Sequence, residues 1–424
     1  MYNLIIYIYL LGVAIASLFS EKVRKMWRGE RDAFRVLKEK VDPTARYVWV
    51  HAASLGEFEQ GRPLIEKIKS EHPEVKILLT FFSPSGYEVR KNYTGADIIC
   101  YLPLDTIINA RRFLRIIRPE MAFFIKYEFW YNYLHILKHR NVPVYSVSSI
   151  FRESQVFFRW YGKQYSRVLK CFTHFYVQNE TSKRLLEGIG LTNVTISGDT
   201  RFDRVLQIKE QSKQLPIVET FVGDCKNVFV AGSSWQPDEE IFIKYLISKL
   251  GGENRTWKLV IAPHVIGEEH LKQIMSLLYG KKIVRYTEVA AADKVSLQPT
   301  AEPQQLKDAD VLIIDCFGLL SSIYHYGTVT YVGGGFGVGI HNVLEAAVWE
   351  KPVVIGPNNQ KFQEAQELKT VGGCFEIANY EDFDILMERF ENEPNLLSGA
   401  GQKAGNYVKG KSGATEKVLS DVTI

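Results

Sequence analysis

Short runs of apolar, often β-branched residues alternate with helix-length amphipathic segments from residue 47 onward. Seven such runs form a first series, at 47–52, 76–82, 97–102, 120–125, 143–147, 173–177 and 193–197. Six more form a second series, at 227–231, 257–262, 282–286, 311–315, 328–332 and 352–356. Buried strands that alternate with helices are typical of doubly wound parallel sheets. A polar stretch at 204–215, followed by Pro216, separates the series. The pattern therefore predicts two Rossmann-like α/β domains.

An apolar segment, Tyr2 to Phe19, precedes both series and has the minimum length of a membrane-spanning helix. Residues 21–40 follow with eight basic and four acidic residues, which accounts for the whole net charge of +4. Basic residues after the apolar run predict an anchor that leaves the body in the cytoplasm, against an anionic lipid surface. The anchor could span the bilayer or lie in its interface. A cleaved signal peptide is the alternative, but it would carry basic residues before the apolar run.

The predicted organisation is a membrane-anchor helix at 1–20, a first Rossmann-like domain at 21–210 and a second at 211–424. Because the basic residues are concentrated at 21–40, residues 41–424 carry no net charge, which argues against general nucleic-acid binding. The five cysteines are scattered and form no C-x-x-C pair, so neither a disulfide framework nor a zinc site is expected. No H-E-x-x-H sequence occurs, and no essential metal is expected.

Polar and glycine-rich loops follow the ends of several predicted strands. In the second series they are 232–234, 263–264, 316–319 and 333–345, and in the first they include 51–57 and 126–130. Ligands of doubly wound sheets bind at the carboxyl ends of the strands. The two sets of loops therefore predict a ligand cleft between the domains.

The loop Gly333–Gly339 lies between a predicted strand and a helix predicted to begin near His341. A helix start behind glycines offers backbone N–H groups to an anion, and glycines let a ligand approach closely. The loop lacks G-x-G-x-x-G, and the chain contains no Walker sequence, so NAD and ATP are not favoured. We interpret the loop as half of a nucleotide-sugar site.

Two carboxylates allow two interpretations each. Ser54-x-x-Glu57 fits a capping box at a helix start, but Glu57 could also be a general base. Asn342-x-x-Glu345 could likewise be a cap, or Glu345 could accept hydrogen bonds from a ribose diol.

Two further groups of charged residues also allow two interpretations. Arg201 could meet a ligand carboxylate or phosphate, or form an ion pair with Asp199 or Asp203. The alternating residues Lys126, Glu128 and Trp130 could form a wall of an acceptor pocket, or a solvated strand end capped by one buried Trp.

Taken together, several segments resemble the 3-deoxy-D-manno-octulosonic acid (Kdo) transferases of lipopolysaccharide synthesis. The segments are HAASLGE (51–57), FSPSG (82–86), LPLD (102–105), EFW (128–130), GDTRFD (198–203), AGSS (231–234), VGGGF (332–336) and HNVLEAA (341–347). Their order and spacing match the family over nearly the whole chain, including the N-terminal apolar segment.

The resemblance implies a GT-B glycosyltransferase that moves Kdo from CMP-Kdo to a lipid A precursor at the cytoplasmic face of the inner membrane. It implies neither a metal nor another cofactor. The family's catalytic carboxylate corresponds to Glu57. Its CMP contacts correspond to Pro263, His264, Phe317, Gly318, Leu319, Asn342, Val343, Leu344 and Glu345.

The chain departs from the family pattern at two positions. His264 stands where many members have Arg, which makes any charge assistance to the CMP phosphate pH-dependent. Lys126 stands where many members have Glu, so that carboxylate is not carried over. The alternatives are a GT-B enzyme that uses a UDP-sugar, and a membrane-tethered scaffold without turnover.

Overall fold

The computed structural model describes residues 2–212, 214–251, 256–295 and 303–424. The chain divides into two compact units. Unit one comprises Met1–Arg204 together with Lys411–Ile424, and unit two comprises Val205–Gly410.

Strands and helices alternate along most of the described chain. The strands are β1 (Tyr47–His51), β2 (Lys76–Phe81), β3 (Ile98–Tyr101), β4 (Met121–Ile125), β5 (Val144–Ser149), β6 (His174–Val177), β7 (Val194–Ile196), β8 (Val228–Ser234), β9 (Lys258–Pro263), β10 (Ile283–Arg285), β11 (Val311–Ile313), β12 (Val329–Val332), β13 (Val353–Ile355) and β14 (Cys374–Glu376). The helices of unit one are α1 (Tyr2–Phe19), α2 (Glu21–Lys40), α3 (Leu55–Glu71), α4 (Pro84–Arg90), α5 (Ile107–Ile117), α6 (Tyr131–His139), α7 (Glu180–Glu187) and α8 (Thr200–Glu210), which runs into unit two. The remaining helices are α9 (Pro216–Val222), α10 (Gln236–Leu246), α11 (Glu268–Leu277), α12 (Tyr286–Val295), α13 (Pro303–Asp308), α14 (Leu320–Ile323), α15 (Leu344–Ala347), α16 (Gln363–Val371), α17 (Tyr380–Asn392), α18 (Pro394–Lys411) and α19 (Ala414–Ser420). Short 3-10 helices occur at Val156–Phe158, Trp160–Gly162, Tyr165–Cys171 and Tyr324–Tyr326.

The sheet of unit one has the order β3-β2-β1-β4-β5-β6-β7, and its neighbouring strands are parallel. Trp49 on β1 is paired with Leu78 on one side and Ala122 on the other, and all three are buried. The chain builds outward from β1 to β3 and then returns to the other side of β1 with β4. The gap between the ends of β1 and β4 is therefore the point where the strand order reverses, which is where such sheets bind ligands.

The sheet of unit two has the order β10-β11-β9-β8-β12-β13-β14, which resembles that of unit one except that β11 lies between β9 and β10. Here the strand order reverses between β8 and β12. All thirteen predicted strands are present, and the doubly wound α/β fold is confirmed. The sequence pattern missed β14, because a strand of only three residues ending in an exposed Glu376 gives little apolar signal.

The polar stretch at 204–215 is not a plain linker, because residues 204–210 belong to α8. Phe202 and Val205 are buried one helical turn apart, which explains why this polar segment is helical. The last fourteen residues also differ from expectation. The sequence pattern placed them in the second domain, but residues 411–424 pack with unit one, where Val418 joins the core beside β1.

The carboxylate of Asp203 holds this C-terminal segment to unit one. It accepts hydrogen bonds from the backbone N–H groups of Gly413 (2.6 Å) and Thr415 (2.7 Å), and from the Thr415 hydroxyl (2.6 Å). These three hydrogen bonds to one carboxylate attach the start of α19 to unit one.

We expect Asp203→Ala to destabilise the protein by about 2–3 kcal/mol, because hydrogen bonds to a charged group are lost and the donors of the buried Thr415 stay unpaired. Urea unfolding and amide hydrogen exchange of residues 414–420 measure the effect. Thr415→Val, which removes only the hydroxyl donor, is the matched control and should cost less. Unchanged exchange protection of α19 in Asp203→Ala would show that Asp203 does not hold the C-terminal segment to unit one.

Candidate functional site

The strand-order reversal of unit one brings together two residues far apart in sequence. His51 ends β1 and is fully buried, with its Nδ1 2.8 Å from the Thr80 hydroxyl oxygen. Its Nε2 lies 3.1 Å from a carboxylate oxygen of Glu128, which follows β4. The indole N–H of Trp130 donates to the same oxygen at 2.6 Å. The Glu128 carboxylate is thus held by His51 and Trp130 and is not a solvated strand end.

Glu57 lies beside this pair, in the first turn of α3. Its carboxylate accepts a hydrogen bond from the backbone N–H of Ser54 at 3.0 Å, and the two residues form the predicted capping box. Burial raises the pKa of the Glu57 carboxyl, and the nearby Glu128 carboxylate raises it further, against opposing effects of His51 and Lys126. A carboxylate with a raised pKa is a stronger proton acceptor, so capping and general-base chemistry are compatible here.

Backbone strain accumulates at the strand ends. Lys126 after β4, Ser148 near the end of β5 and Ser233 near the end of β8 have φ angles of 68°, 52° and 51°. This left-handed region is costly for residues other than glycine, and such strain concentrates at functional sites. Lys126 also places its ammonium 5.2 Å from the centre of the Tyr127 ring.

Arg201 forms the ion pair with Asp199 that the sequence allowed. Its guanidinium contacts the Asp199 carboxylate at 2.8 Å, and its backbone N–H donates to the other oxygen at 2.9 Å. Asp199 is buried and also accepts from the Gln60 amide at 2.9 Å. Burial alone would raise the pKa of Asp199, but the charge and hydrogen bonds of Arg201 and the hydrogen bond from Gln60 lower it below its ordinary value.

In unit two, three aromatic rings from three strand-end loops form one stack. The His264 ring, after β9, lies 4.8 Å from the Trp235 ring, after β8, with 28° between the planes. The His341 ring, after β12, lies 4.4 Å from His264 at 30°. The stack joins β8, β9 and β12 at the strand-order reversal. Trp235 was not singled out from the sequence, because a lone Trp after a Ser pair carries no motif.

A second contact joins the residues just after Phe317–Leu319 to the segment Asn342–Glu345. The Ser321 hydroxyl, two residues after Leu319, donates to the Glu345 carboxylate at 2.5 Å. The amide of Asn342 donates to the other Glu345 oxygen at 3.1 Å. Together with the histidine stack, this contact brings the three segments predicted to hold CMP to one edge of the sheet. The Phe317 side chain is 79% exposed there, and Gly318 has a φ of 92°.

The glycine loop differs from its predicted role. The helix after it begins at Leu344 and has only four residues, so its dipole is small. The N–H groups of Gly333, Gly334 and Gly339 are already paired inside the unit, the second with the Asp238 carboxylate at 2.9 Å. The predicted free N–H groups are therefore largely used by the protein itself.

Close backbone packing explains at least two of the glycines. A Cβ on Gly333 would lie 2.4 Å from the carbonyl oxygen of Ser233, and one on Gly335 would lie 2.6 Å from the backbone of Gly356. These contacts seat the loop between the ends of β8 and β13. Gly333 and Gly335 therefore allow the loop to pack closely against neighbouring backbone, which fixes its position instead of making it flexible.

The electrostatics of the histidine stack make it neutral near pH 7. Burial lowers the pKa of His264 below its ordinary value, and burial together with His264 lowers the pKa of His341 to about 4. A positive charge at His264 therefore appears only in acid, below its lowered pKa. At neutral pH this position offers stacking and a hydrogen bond, but no charge.

The family resemblance implies that His264 faces the CMP phosphate. On that assignment we expect His264→Arg to bind CMP about tenfold more tightly than the parent at pH 7.5, because a permanent cation would replace a neutral ring. Titration calorimetry with CMP measures the affinity. His264→Gln, which keeps a donor without charge, should stay within about twofold of the parent. An Arg variant that binds no better than the Gln variant would show that position 264 does not face the phosphate.

Among the described residues, no group of three or more His, Cys, Asp or Glu side chains is placed to hold a metal ion. All five cysteines are free thiols, and burial raises the pKa of Cys100 and Cys374 to about 12. These thiols are therefore poor nucleophiles and poor metal ligands at neutral pH.

Comparison with known proteins supports the family resemblance. Residues 27–204 match a family model described as 3-deoxy-D-manno-octulosonic-acid transferase (kdotransferase). A 3-deoxy-D-manno-octulosonic acid transferase of Aquifex aeolicus (strain VF5) is 26% identical over 346 residues, which cover 81% of this chain and 85% of the relative. One of Rickettsia prowazekii (strain Madrid E) is 24% identical over 360 residues, or 82% of this chain and 73% of the relative.

Among solved structures, UDP-GlcNAc 2-epimerase from Neisseria meningitidis, bound to UDP-GlcNAc, is similar in fold. The two structures superpose with a TM-score of 0.60 at 14% identity, over 88% of this chain and 98% of the epimerase. At this identity the similarity concerns the fold alone. It confirms the predicted GT-B type of fold, built from two Rossmann-like units.

Proposed function

We propose, from the chain's kinship with the Kdo transferases, that it transfers Kdo from CMP-Kdo to a glucosamine hydroxyl of the lipid A precursor lipid IVA. The reaction would be an inverting, metal-independent displacement at the anomeric carbon. The catalytic body would lie on the cytoplasmic side of the inner membrane, where the apolar helix α1 associates with lipid.

The observation that carries the mechanism is the environment of Glu57. Its half-buried carboxylate lies at the strand-order reversal of unit one, with a pKa raised by burial and by Glu128. In the proposed step, Glu57 accepts the proton of the acceptor hydroxyl while that oxygen attacks the anomeric carbon. The bond from this carbon to the phosphate oxygen breaks, and CMP leaves with the electron pair.

Unit two would hold the donor. The support is the convergence of Pro263–His264, Phe317–Leu319 and Asn342–Glu345 on one strand edge through the histidine stack and the Ser321–Glu345 hydrogen bond. In this proposal the histidine stack borders the nucleotide, and Glu345 accepts hydrogen bonds from the ribose diol. Exclusion of water from the reacting centre would limit hydrolysis of CMP-Kdo.

Incubation of the full-length protein with CMP-Kdo and tetraacylated lipid A precursor tests the proposal. Mass spectrometry of the lipid product and release of CMP should both report transfer. Titration calorimetry with CMP and UDP separates the donor classes, and CMP should bind more tightly. Tighter binding of UDP would favour a UDP-sugar transferase, and binding without any product would favour a non-catalytic scaffold.

A further inference from the structure

We propose that α1 lies in the plane of the membrane surface, and that residues 156–170 form a second element of the same contact with anionic phospholipid. The inference rests on the membrane association proposed above, but it does not depend on Kdo transfer. It concerns only contacts within unit one.

The N-terminal end of α1 is fixed to the body of unit one. The Tyr2 hydroxyl donates to a carboxylate oxygen of Asp105 at 2.7 Å, and the Asn132 amide donates to the Asn3 side-chain oxygen at 2.8 Å. Asp105 and Asn132 are buried within the domain. The Tyr2 ring also stacks on Tyr131 with centres 4.8 Å apart.

The C-terminal end of α1 is fixed as well. The Arg24 guanidinium donates to the carbonyl oxygens of Ser17 and Leu18, both at 3.0 Å. Arg24 belongs to α2, which places Phe34 and Leu37 in the core of unit one. A spanning helix would carry Tyr2 across about 30 Å of hydrocarbon, away from Asp105. The observed contacts and a transmembrane path therefore exclude each other.

The exposure pattern of α1 fits an in-plane helix. An outward stripe at helical spacing is apolar and 54–69% exposed, and it comprises Leu4, Ile8, Leu11, Ile15 and Leu18. Val13 and Ser17 on the opposite side are buried against the protein. Ile5, Tyr9 and Phe19, outside this stripe, are 57%, 45% and 85% exposed. Most of the apolar surface of α1 is therefore free to contact acyl chains while the two ends of the helix stay attached to unit one.

Residues 156–170 have the composition of an interfacial segment. Trp160 and Tyr161 are 84% and 62% exposed, and these two residue types prefer the membrane–water interface. Exposed basic side chains surround them in a shallow groove, namely Arg159, Lys163, Arg167 and Lys170. The nearest acidic residue before them in sequence is Glu153. This concentration of positive charge complements anionic headgroups.

Tyr165 joins the two elements. Its ring lies 5.2 Å from Phe157 with 9° between the planes, and Phe157 is part of the core of unit one. The same ring lies 6.3 Å from Tyr2 with 24° between the planes. The segment is therefore held against the first residue of α1, so one lipid surface can contact both.

Flotation of the full chain with vesicles of phosphatidylglycerol and phosphatidylcholine tests the second element. We expect Trp160→Ser/Tyr161→Ser to reduce partitioning by about tenfold or more, because each aromatic side chain buries apolar surface in the interface. Lys163→Glu/Arg167→Glu should weaken binding to these vesicles but not to pure phosphatidylcholine.

Tyr279→Ser is the matched control, since Tyr279 is 90% exposed in unit two, and it should bind like the parent. Thermal unfolding should be unchanged in all variants, because the substituted side chains are exposed. If the Trp160/Tyr161 double variant binds like the parent, the second element is refuted.

Protease treatment of inverted inner-membrane vesicles tests the in-plane geometry, with an epitope tag placed before Met1 of the full chain. We expect the tag and the body to be digested together from the cytoplasmic face. A protected tag beside a digested body would show that α1 spans, which overturns the in-plane arrangement but leaves membrane association intact. Recovery of the chain in the soluble fraction would overturn membrane association itself, whereas the transfer assay above reads the enzymatic proposal separately.

Discussion

Glu57→Gln should lower kcat for Kdo transfer by about 10³-fold or more, because the amide cannot accept the proton of the attacking hydroxyl. Gln is nearly isosteric, and its side-chain oxygen can still accept the hydrogen bond from the Ser54 backbone N–H. The fold and the affinity for CMP should therefore stay close to the parent values. Single-turnover assays with CMP-Kdo and tetraacylated acceptor measure the loss, and calorimetry with CMP measures the retained binding.

The control for this experiment separates the base from the helix cap. Ser54→Ala weakens the capping box and should cost about 1 kcal/mol of stability, with transfer largely preserved. If Glu57→Gln retains transfer near the parent rate and only loses stability, Glu57 is a cap and nothing more.

The raised pKa of Glu57 adds a pH signature to this prediction. A base must be deprotonated, so kcat/KM should fall in acid as Glu57 becomes protonated, and this fall should begin at higher pH than for an ordinary glutamate. The Glu128 carboxylate raises the pKa of Glu57, so Glu128→Gln should move the acidic limb to lower pH. A limb at the same pH in Glu128→Gln would show that Glu57 is not the titrating base.

Glu345→Ala should have the second largest effect, a loss of roughly 10- to 100-fold in kcat/KM for CMP-Kdo. The variant removes the proposed acceptor of the ribose hydroxyls and leaves the Ser321 hydroxyl and the Asn342 amide without their observed partner. The loss should appear mainly in KM for the donor, because the ribose is distant from the bond that breaks. Steady-state kinetics with varied CMP-Kdo measure it.

Ser321→Ala is the matched control for Glu345→Ala. It removes the hydroxyl that orients the carboxylate but keeps the carboxylate itself, so KM should rise by only a few-fold. Equal effects of the two substitutions, with a matching fall in thermal stability, would make Glu345 a structural residue of unit two.

Much of the fold and part of the site follow from local sequence. The thirteen predicted strands are visible because a strand buried on both faces is a continuous apolar run. The capping box of Ser54 and Glu57 is visible because its two residues lie three positions apart on one helix. The placement of the loops at the carboxyl ends of strands then follows from the parallel topology.

The structure of the glycine loop and the helix after it could not be predicted from local sequence. The sequence suggested a helix from His341 with free N–H groups before it, but the helix begins at Leu344 and the loop pairs its own N–H groups. The glycines also have a different role at Gly333 and Gly335, where the partner is neighbouring backbone. A glycine looks the same in sequence whether a ligand or another strand end approaches it.

Local sequence was sufficient to predict the apolar N-terminal helix, the two parallel sheets and the order of the strand-end loops, because these depend on residues adjacent in the chain. The folded structure was needed to show that His51 meets Glu128 across 77 residues, that His264 stacks on His341, and that residues 411–424 return to Asp203. Such contacts depend on how strands are ordered in a sheet. Pairings of this kind leave no periodic pattern in the sequence on either side.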